Sequence, residues 1–399
     1  MISCRYEPLN LGKSVFKDET KLDINYVPQK LRHREQELRL LMEFFKFAIY
    51  SPERMTQRVI ITGDVGTGKT ALAQRFGQDI TSEANRLGAR LRYVHVNCRE
   101  YRGKLALIMQ QLLSVLLPTF PKRGYGPEEQ LEIVLQNLDE KQAHMILALD
   151  EFDSFVEQEG SDGVYQLTRL QETRANKPQR VSFIYIIRDM KVVEKLDAST
   201  RSTLQKNIIR LENYSREQLI DILNDRVSMA FTPLAVQDDV VELIADLALA
   251  ENGNARFAIE LLWRAGKYAD ADDADTVAPE HVRMAVSSIV QTLRKSELSH
   301  LELHEKLFLL GVARLFKESR NAYVSLPDAE NAYAIVCEEF DEQPRSHTQL
   351  WKYLQYFSAL GILKTEVVST GIRGRITRIS LPMVSAAELE KAVSETLKK

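Results

Sequence analysis

"VIITGDVGTGKTALAQRF", residues 59–76, decides the fold. A β-rich apolar run ends at Thr62, a glycine-rich turn follows, and a helical pattern begins at Ala71. Gly63, Gly68, Lys69 and Thr70 satisfy G-x-x-x-x-G-K-T in the strand-to-helix setting that the motif requires, with Gly66 and Thr67 inside the loop. Glycines let such a loop curl until its N–H groups point inward. Lys69 then supplies a point charge for β- and γ-phosphates, and Thr70 offers a hydroxyl to Mg²⁺. The expected ligand is ATP or ADP with Mg²⁺.

Working outward, residues 59–62 are one of five short apolar runs, the others being "RYVHV" (92–96), "MILALD" (145–150), "FIYII" (183–187) and "IIRL" (208–211). Longer stretches of helical period separate them, which predicts an α/β domain with a parallel sheet. The third run ends in Asp150 and Glu151, and the carboxyl edge of such a strand is expected beside the phosphate loop. Asp150 is placed to hold Mg²⁺ through water, and Glu151 to orient or deprotonate an attacking water. Two acids at a strand end are often only solvated carboxylates; the phosphate loop earlier in the chain is what lends this pair meaning.

Beyond "YSREQ" the strand signal stops. Ser215 and Gln218 form a capping box, and helical patterns run over about 215–230, 236–249 and 253–269. This predicts a helical lid. The acidic "ADADDADT" (269–276) reads as a linker, and Pro279 suits a first helical turn. The expected division is therefore 1–212, an α/β nucleotide-binding domain; 213–276, the lid; and 277–399, a third domain.

Residues 300–381 carry the order helix, helix, helix, hairpin, with Leu350, Leu354 and Phe357 on one face of the third helix and Gly361 as its terminator. "ILKTEVVSTGIRGRITRISL" (362–381) reads as two strands about a glycine turn, completing an α+β winged helix. Between Gln343 and Leu381 there are six Lys or Arg against one acid, Glu366, although the whole chain has a formal charge of −3. Nucleic-acid affinity must then come from a local patch. Arg345, Ser346, His347, Thr348, Gln349 and Lys352 face a major groove in this reading. Arg373, Arg375 and Arg378 reach an adjoining minor groove, and Gly371 and Gly374 let backbone approach the phosphates. A winged helix used for protein contacts is the competing reading.

Composition closes off other classes. The 399 residues are 44% apolar, enough for two or three cores, and the three cysteines lack metal-ligand spacing. No apolar run approaches the roughly 20 residues that span a bilayer, so a soluble, cytoplasmic protein is expected.

The quoted residues resemble the AAA+ ATPases, and within them the archaeal replication initiators related to the origin recognition complex and the cell-division-control loader. "YVPQKLRHREQEL" (26–38) resembles the segment that wraps adenine, implying roles for Val27, Pro28 and Arg34. "LENYSREQLIDILNDR" (211–226) resembles the lid entry and implies nucleotide contacts from Tyr214 and Arg226, although Tyr214 also suits a core position. "GNARFAIELLWRAG" (253–266) resembles the second sensor helix, implying Arg256 near the γ-phosphate; a solvated charge is the alternative. "VNCREYRGKLALIMQQLL" (96–113) resembles the opening of the initiator-specific insertion, making Arg102, Lys104, Lys122 and Arg123 DNA candidates that surface solvation explains equally well.

Two departures stand out. Arg188 occupies the position of a polar first sensor, and Ser199 replaces an arginine that has moved to 201. Arginine is donor-only and cannot accept a hydrogen bond from water. The resemblance therefore implies a slow ATPase that acts as a switch, binding double-stranded origin DNA, with paralogous initiators and the replicative helicase as partners. A signalling P-loop ATPase and a catalytically silent regulatory paralogue are the alternatives.

Overall fold

The computed structural model describes residues 13–53, 55–121, 124–169, 178–204, 207–289, 301–319, 321–359, 362–369, 375–382 and 385–397. These form two compact units. One comprises residues 27–214 with 253–256; the other comprises 13–26, 215–252 and the chain from 257 onward.

The first unit is built on a parallel five-stranded sheet: β1 (Arg58–Thr62), β2 (Leu91–Asn97), β3 (His144–Asp150), β4 (Val181–Ile187) and β5 (Asn207–Arg210), in the order β2-β3-β4-β1-β5. Each expected apolar run is a strand. Every residue of β3 and β4 is buried, which is why these segments read as unbroken apolar runs rather than alternating ones. Successive residues serve opposite faces. Met145, Leu147 and Leu149 join α3 (Leu105–Leu116), α4 (Pro127–Glu140) and α5 (Phe152–Arg169) in one core, while Ile146 and Ala148 join α1 (Glu35–Phe45) and α2 (Lys69–Arg86) in another.

Sequence reasoning placed the acidic strand end beside the phosphate loop. In the sheet, β4 lies between β1 and β3, and Arg188 follows its last residue, Ile187; Thr70 Oγ1 donates to Asp150 at 2.7 Å, so the acid does lie beside the loop. The order is not written in any one strand's pattern.

In the second unit, the lid contains α6 (Arg216–Ala230), α7 (Asp238–Ala250) and α8 (Ala255–Ala271), of which α8 starts in the first unit. The Ser215–Gln218 capping box is formed, with the Gln218 N–H donating to Ser215 Oγ at 3.3 Å. Residues 13–26 fold onto this lid: Phe16 bridges Phe231, and Trp263 Nε1 donates to Glu19 at 2.6 Å. Helix α9 (Pro279–Ile289) follows.

The C-terminal part holds α10 (Leu303–Ser319), β6 (Val324–Ser325), α11 (Leu326–Glu339), α12 (His347–Ala359), the antiparallel pair β7 (Lys364–Ser369) and β8 (Arg375–Ser380), and α13 (Ala386–Leu397). The small sheet has the order β6-β8-β7. Leu350, Leu354 and Phe357 are buried in its core, with Phe308 stacked 6.3 Å from Phe357. Burying each such side chain contributes about 1.5–3 kcal/mol, which fixes α12 by its apolar face and leaves the other face outward.

Candidate functional site

The phosphate loop leaves β1 and enters α2. Gly66 and Gly68 have φ of 82° and 89°, which residues with a Cβ rarely adopt. A Cβ on Gly66 would also lie 1.9 Å from Asn254 Oδ1, and one on Gly68 would lie 2.9 Å from the Tyr214 hydroxyl. The glycines are therefore required by contacts as well as by backbone. Lys69 Nζ donates to the carbonyls of Gly63 (2.6 Å) and Asp64 (2.7 Å). Burial pushes this ammonium below its usual range; the Asp150, Asp153 and Asp64 carboxylates oppose that shift and Arg188 adds to it. The Arg188 backbone N–H donates to Asp153 at 3.0 Å.

Asp150 is 4% exposed and receives three donors: Thr70 Oγ1 (2.7 Å) and His95 Nε2 (3.2 Å) at Oδ2, and the Glu151 N–H (2.8 Å) at Oδ1. Burial pushes its carboxyl up, but the His95 and Thr70 hydrogen bonds lead a group that outweighs this and holds it below the ordinary value. A hydroxyl and a carboxylate side by side are hard oxygen donors suited to Mg²⁺. Among the described residues no group of three or more His, Cys, Asp or Glu could hold a metal, so phosphates and water would supply the remaining ligands. Glu151 has φ 48° and an exposed carboxylate 4.0 Å from Arg99. Strained backbone of this kind clusters at functional sites.

Arg34 belongs to the segment expected to wrap the adenine. It is 5% exposed, and its Nε donates to Thr67 O (3.1 Å) while Nη2 donates to Glu212 O (2.6 Å). Its guanidinium also lies 4.1 Å from the Tyr214 ring centre. The side chain braces the loop from behind. Tyr214 is buried, as a core aromatic would be, yet its hydroxyl abuts Gly68. Arg256, exposed, opens α8 next to Asn254, and the Ala255 N–H donates to Gly66 O at 3.3 Å. Val27 and Pro28 belong to the same unit and are half-buried. Arg226 lies in the other unit, buried, with its guanidinium donating to the carbonyls of Lys21 (2.6 Å) and Tyr26 (3.3 Å).

In the winged region, Arg345, Ser346, His347, Thr348 and Lys352 are exposed and Gln349 is half-buried. His347 Nδ1 is engaged by Glu330, and Arg378 lies over the Tyr323 ring at 5.6 Å, opposite Glu366 on β7. These two candidates have intramolecular partners. Arg375 opens β8; Gly371, Arg373, Gly374, Lys122 and Arg123 lie outside the described residues. Arg102 and Lys104 are exposed at the start of α3 in the first unit.

Sequence reasoning missed His95, Tyr93, Asp153 and Asn254. Only the pairing of β2 with β3, which sets Asn97 opposite Asp150, brings His95 to the acid; a histidine in an alternating strand gives no local sign of this.

A phosphate loop on a parallel sheet, a helical lid and a C-terminal winged helix define an AAA+ architecture. Three family models match in that order: AAA domain over residues 54–196, Cdc6 AAA+ ATPase-type lid domain over 220–287, and CDC6 C-terminal winged helix domain over 296–392. The chain is 33% identical to ORC1-type DNA replication protein 2 of Saccharolobus solfataricus, over 96% of this chain and 94% of that protein. Among solved structures, Cdc6p from Pyrobaculum aerophilum matches with a TM-score of 0.83 and 30% identity, covering 96% of this chain and 99% of that one. The Aeropyrum pernix ORC1 protein in complex with DNA matches with a TM-score of 0.64 and 29% identity, over 96% and 98%. The chain belongs to the archaeal ORC1/Cdc6-type DNA replication initiators of the AAA+ family. No helix among the described residues is long and apolar enough to cross a membrane.

Proposed function

We propose that this initiator binds ATP or ADP with Mg²⁺ at the phosphate loop and duplex origin DNA through its winged helix, nucleotide turnover being a slow switch. The observation that carries the proposal is the outward face of α12, where Thr348 and Lys352 stand exposed with Arg345 just before the helix, ahead of the basic hairpin. The DNA-bound structure of the Aeropyrum pernix relative supports the same reading. Arg345, Ser346, His347, Thr348, Gln349 and Lys352 would face the major groove and the wing arginines the minor groove, with Arg102 and Lys104 as a second contact.

At the nucleotide site, Thr70 and Asp150 would hold Mg²⁺, whose charge would offset that of the β- and γ-phosphate oxygens. Lys69 would neutralise the phosphates, Arg256 would lie near the γ-phosphate, and Glu151 would orient water. Arg188 favours a second reading, a silent regulatory paralogue, since it puts a donor-only cation where water must be held. Single-turnover hydrolysis measured beside Lys69→Ala separates the two: turnover abolished by that change rejects silence. Functional boundaries at 1–212, 213–276 and 277–399, paralogous initiators and the replicative helicase as partners, and residence at the nucleoid complete the proposal.

A salt titration of duplex binding tests the DNA half. Log affinity should fall by about 0.9 per log salt for each phosphate neutralised, so Arg373→Ala with Arg375→Ala should reduce the slope by about 2. An unchanged slope would refute the wing's role.

A further inference from the structure

One chain of contacts behind the nucleotide site has no part in the roles assigned so far. Asp150 Oδ2 receives His95 Nε2 at 3.2 Å as well as Thr70. His95 Nδ1 lies 3.4 Å from the Tyr93 hydroxyl, and that hydroxyl donates to Ala73 O, on α2, at 2.7 Å. The Tyr93 ring occupies a notch at Gly77: a Cβ there would come 2.2 Å from the ring. Phe76 closes the notch edge-on at 6.1 Å. The two residues are i and i+2 on β2, hence on one face of the sheet, and they span the gap between the helix that bears Thr70 and the strand that bears Asp150.

We infer that His95 is a positioning residue for Asp150: it holds the carboxylate in the orientation that presents it beside Thr70, and is itself seated by Tyr93 in the Gly77 notch. This rests on the reading that Thr70 and Asp150 hold Mg²⁺ with the nucleotide. The physical need is plain. The Thr70 hydroxyl can donate its proton to Asp150 and offer a lone pair to a cation at once, but that single bond fixes Oδ2 from the side of α2 alone. His95 donates to the same oxygen from the side of β2, and so adds a second restraint on the orientation that brings Oδ2 to Thr70. Such outer partners of metal-holding groups typically govern about 10- to 100-fold in metal affinity.

The test uses the full-length chain and a fluorescent ADP analogue, titrated in Mg²⁺ and in EDTA. Wild type should bind more tightly in Mg²⁺. His95→Ala should lose about tenfold of the Mg²⁺-dependent gain with little change in EDTA. His95→Gln, whose amide nitrogen can occupy the place of Nε2, should recover most of it. Tyr93→Phe, which keeps the ring in the notch and removes the hydroxyl, should give a partial loss. A His95→Ala protein that keeps the full Mg²⁺ gain, or weakens equally in both media, would overturn the role. Failure of the underlying reading looks different: wild type itself would show no Mg²⁺ gain, or Lys69→Ala would bind as wild type does. Thermal unfolding without nucleotide accompanies each variant, so that a folding defect appears as a lowered Tm rather than a lost Mg²⁺ response.

Discussion

Replacing Arg34 with alanine separates a brace from a base contact. Two hydrogen bonds from a charged donor, to Thr67 O at 3.1 Å and Glu212 O at 2.6 Å, would vanish and leave both carbonyls short of a partner. Each such bond contributes about 1.5–3 kcal/mol. The stacking on Tyr214 at 4.1 Å adds about 1–2 kcal/mol for a desolvated cation, whereas the partly exposed Glu37 pair at 3.6 Å adds well under 1 kcal/mol. These terms overlap, so a loss of about 4 kcal/mol is expected. For a domain of about 150–250 residues that corresponds to a fall of roughly 10 °C in Tm. A loop no longer held at Thr67 should also bind ADP about tenfold more weakly, equivalent to about 1.4 kcal/mol. Calorimetry and ADP titration measure the two effects. Arg34→Lys, with its charge but without the fork, should fall between. A Tm within about 2 °C of wild type, with ADP affinity lost and pyrophosphate affinity kept, would refute the brace and return Arg34 to the adenine.

Two further outcomes follow from buried groups. His144 donates from Nδ1 to Pro52 O at 2.8 Å, so its Nε2 accepts from the Ser182 hydroxyl at 2.9 Å; burial pushes its pKa from 6.5 down to about 4. Between those values the unfolded chain binds more protons, so stability rises with pH, and roughly 3 kcal/mol should be lost as pH falls from about 6.5 to about 4. His144→Asn should flatten that limb of a stability profile; an equally steep profile would show that other groups carry it. In the other unit, Tyr323 donates to Asp246 at 2.5 Å, and Arg216 donates to the same carboxylate at 2.5 Å. Tyr323→Phe should cost about 1–2 kcal/mol in urea denaturation, and a change under 0.3 kcal/mol would reject the bond as a contributor.

Much of the fold was legible because its signals are local. The five strands, the Ser215 cap, the lid helices and the helix–hairpin order of the wing all lie within a few residues of the expected positions. Each depends on a side-chain period or a turn residue that acts on its own neighbours. The phosphate loop and Asp150 belong to the same category, since a strand end and a glycine turn can be seen without knowing what packs beside them.

What the sequence by itself determined, then, was which segments become strands and helices and which loop can curl around phosphates. Tertiary structure alone decided that β4 stands between β1 and β3, that the Arg188 N–H meets Asp153, that Arg34 and Arg226 are engaged by backbone carbonyls, and that His95 meets Asp150. Periodicity reports the environment of a residue along its own element. The strand order, on which those meetings depend, follows from how whole faces are buried against one another, and no single segment encodes it.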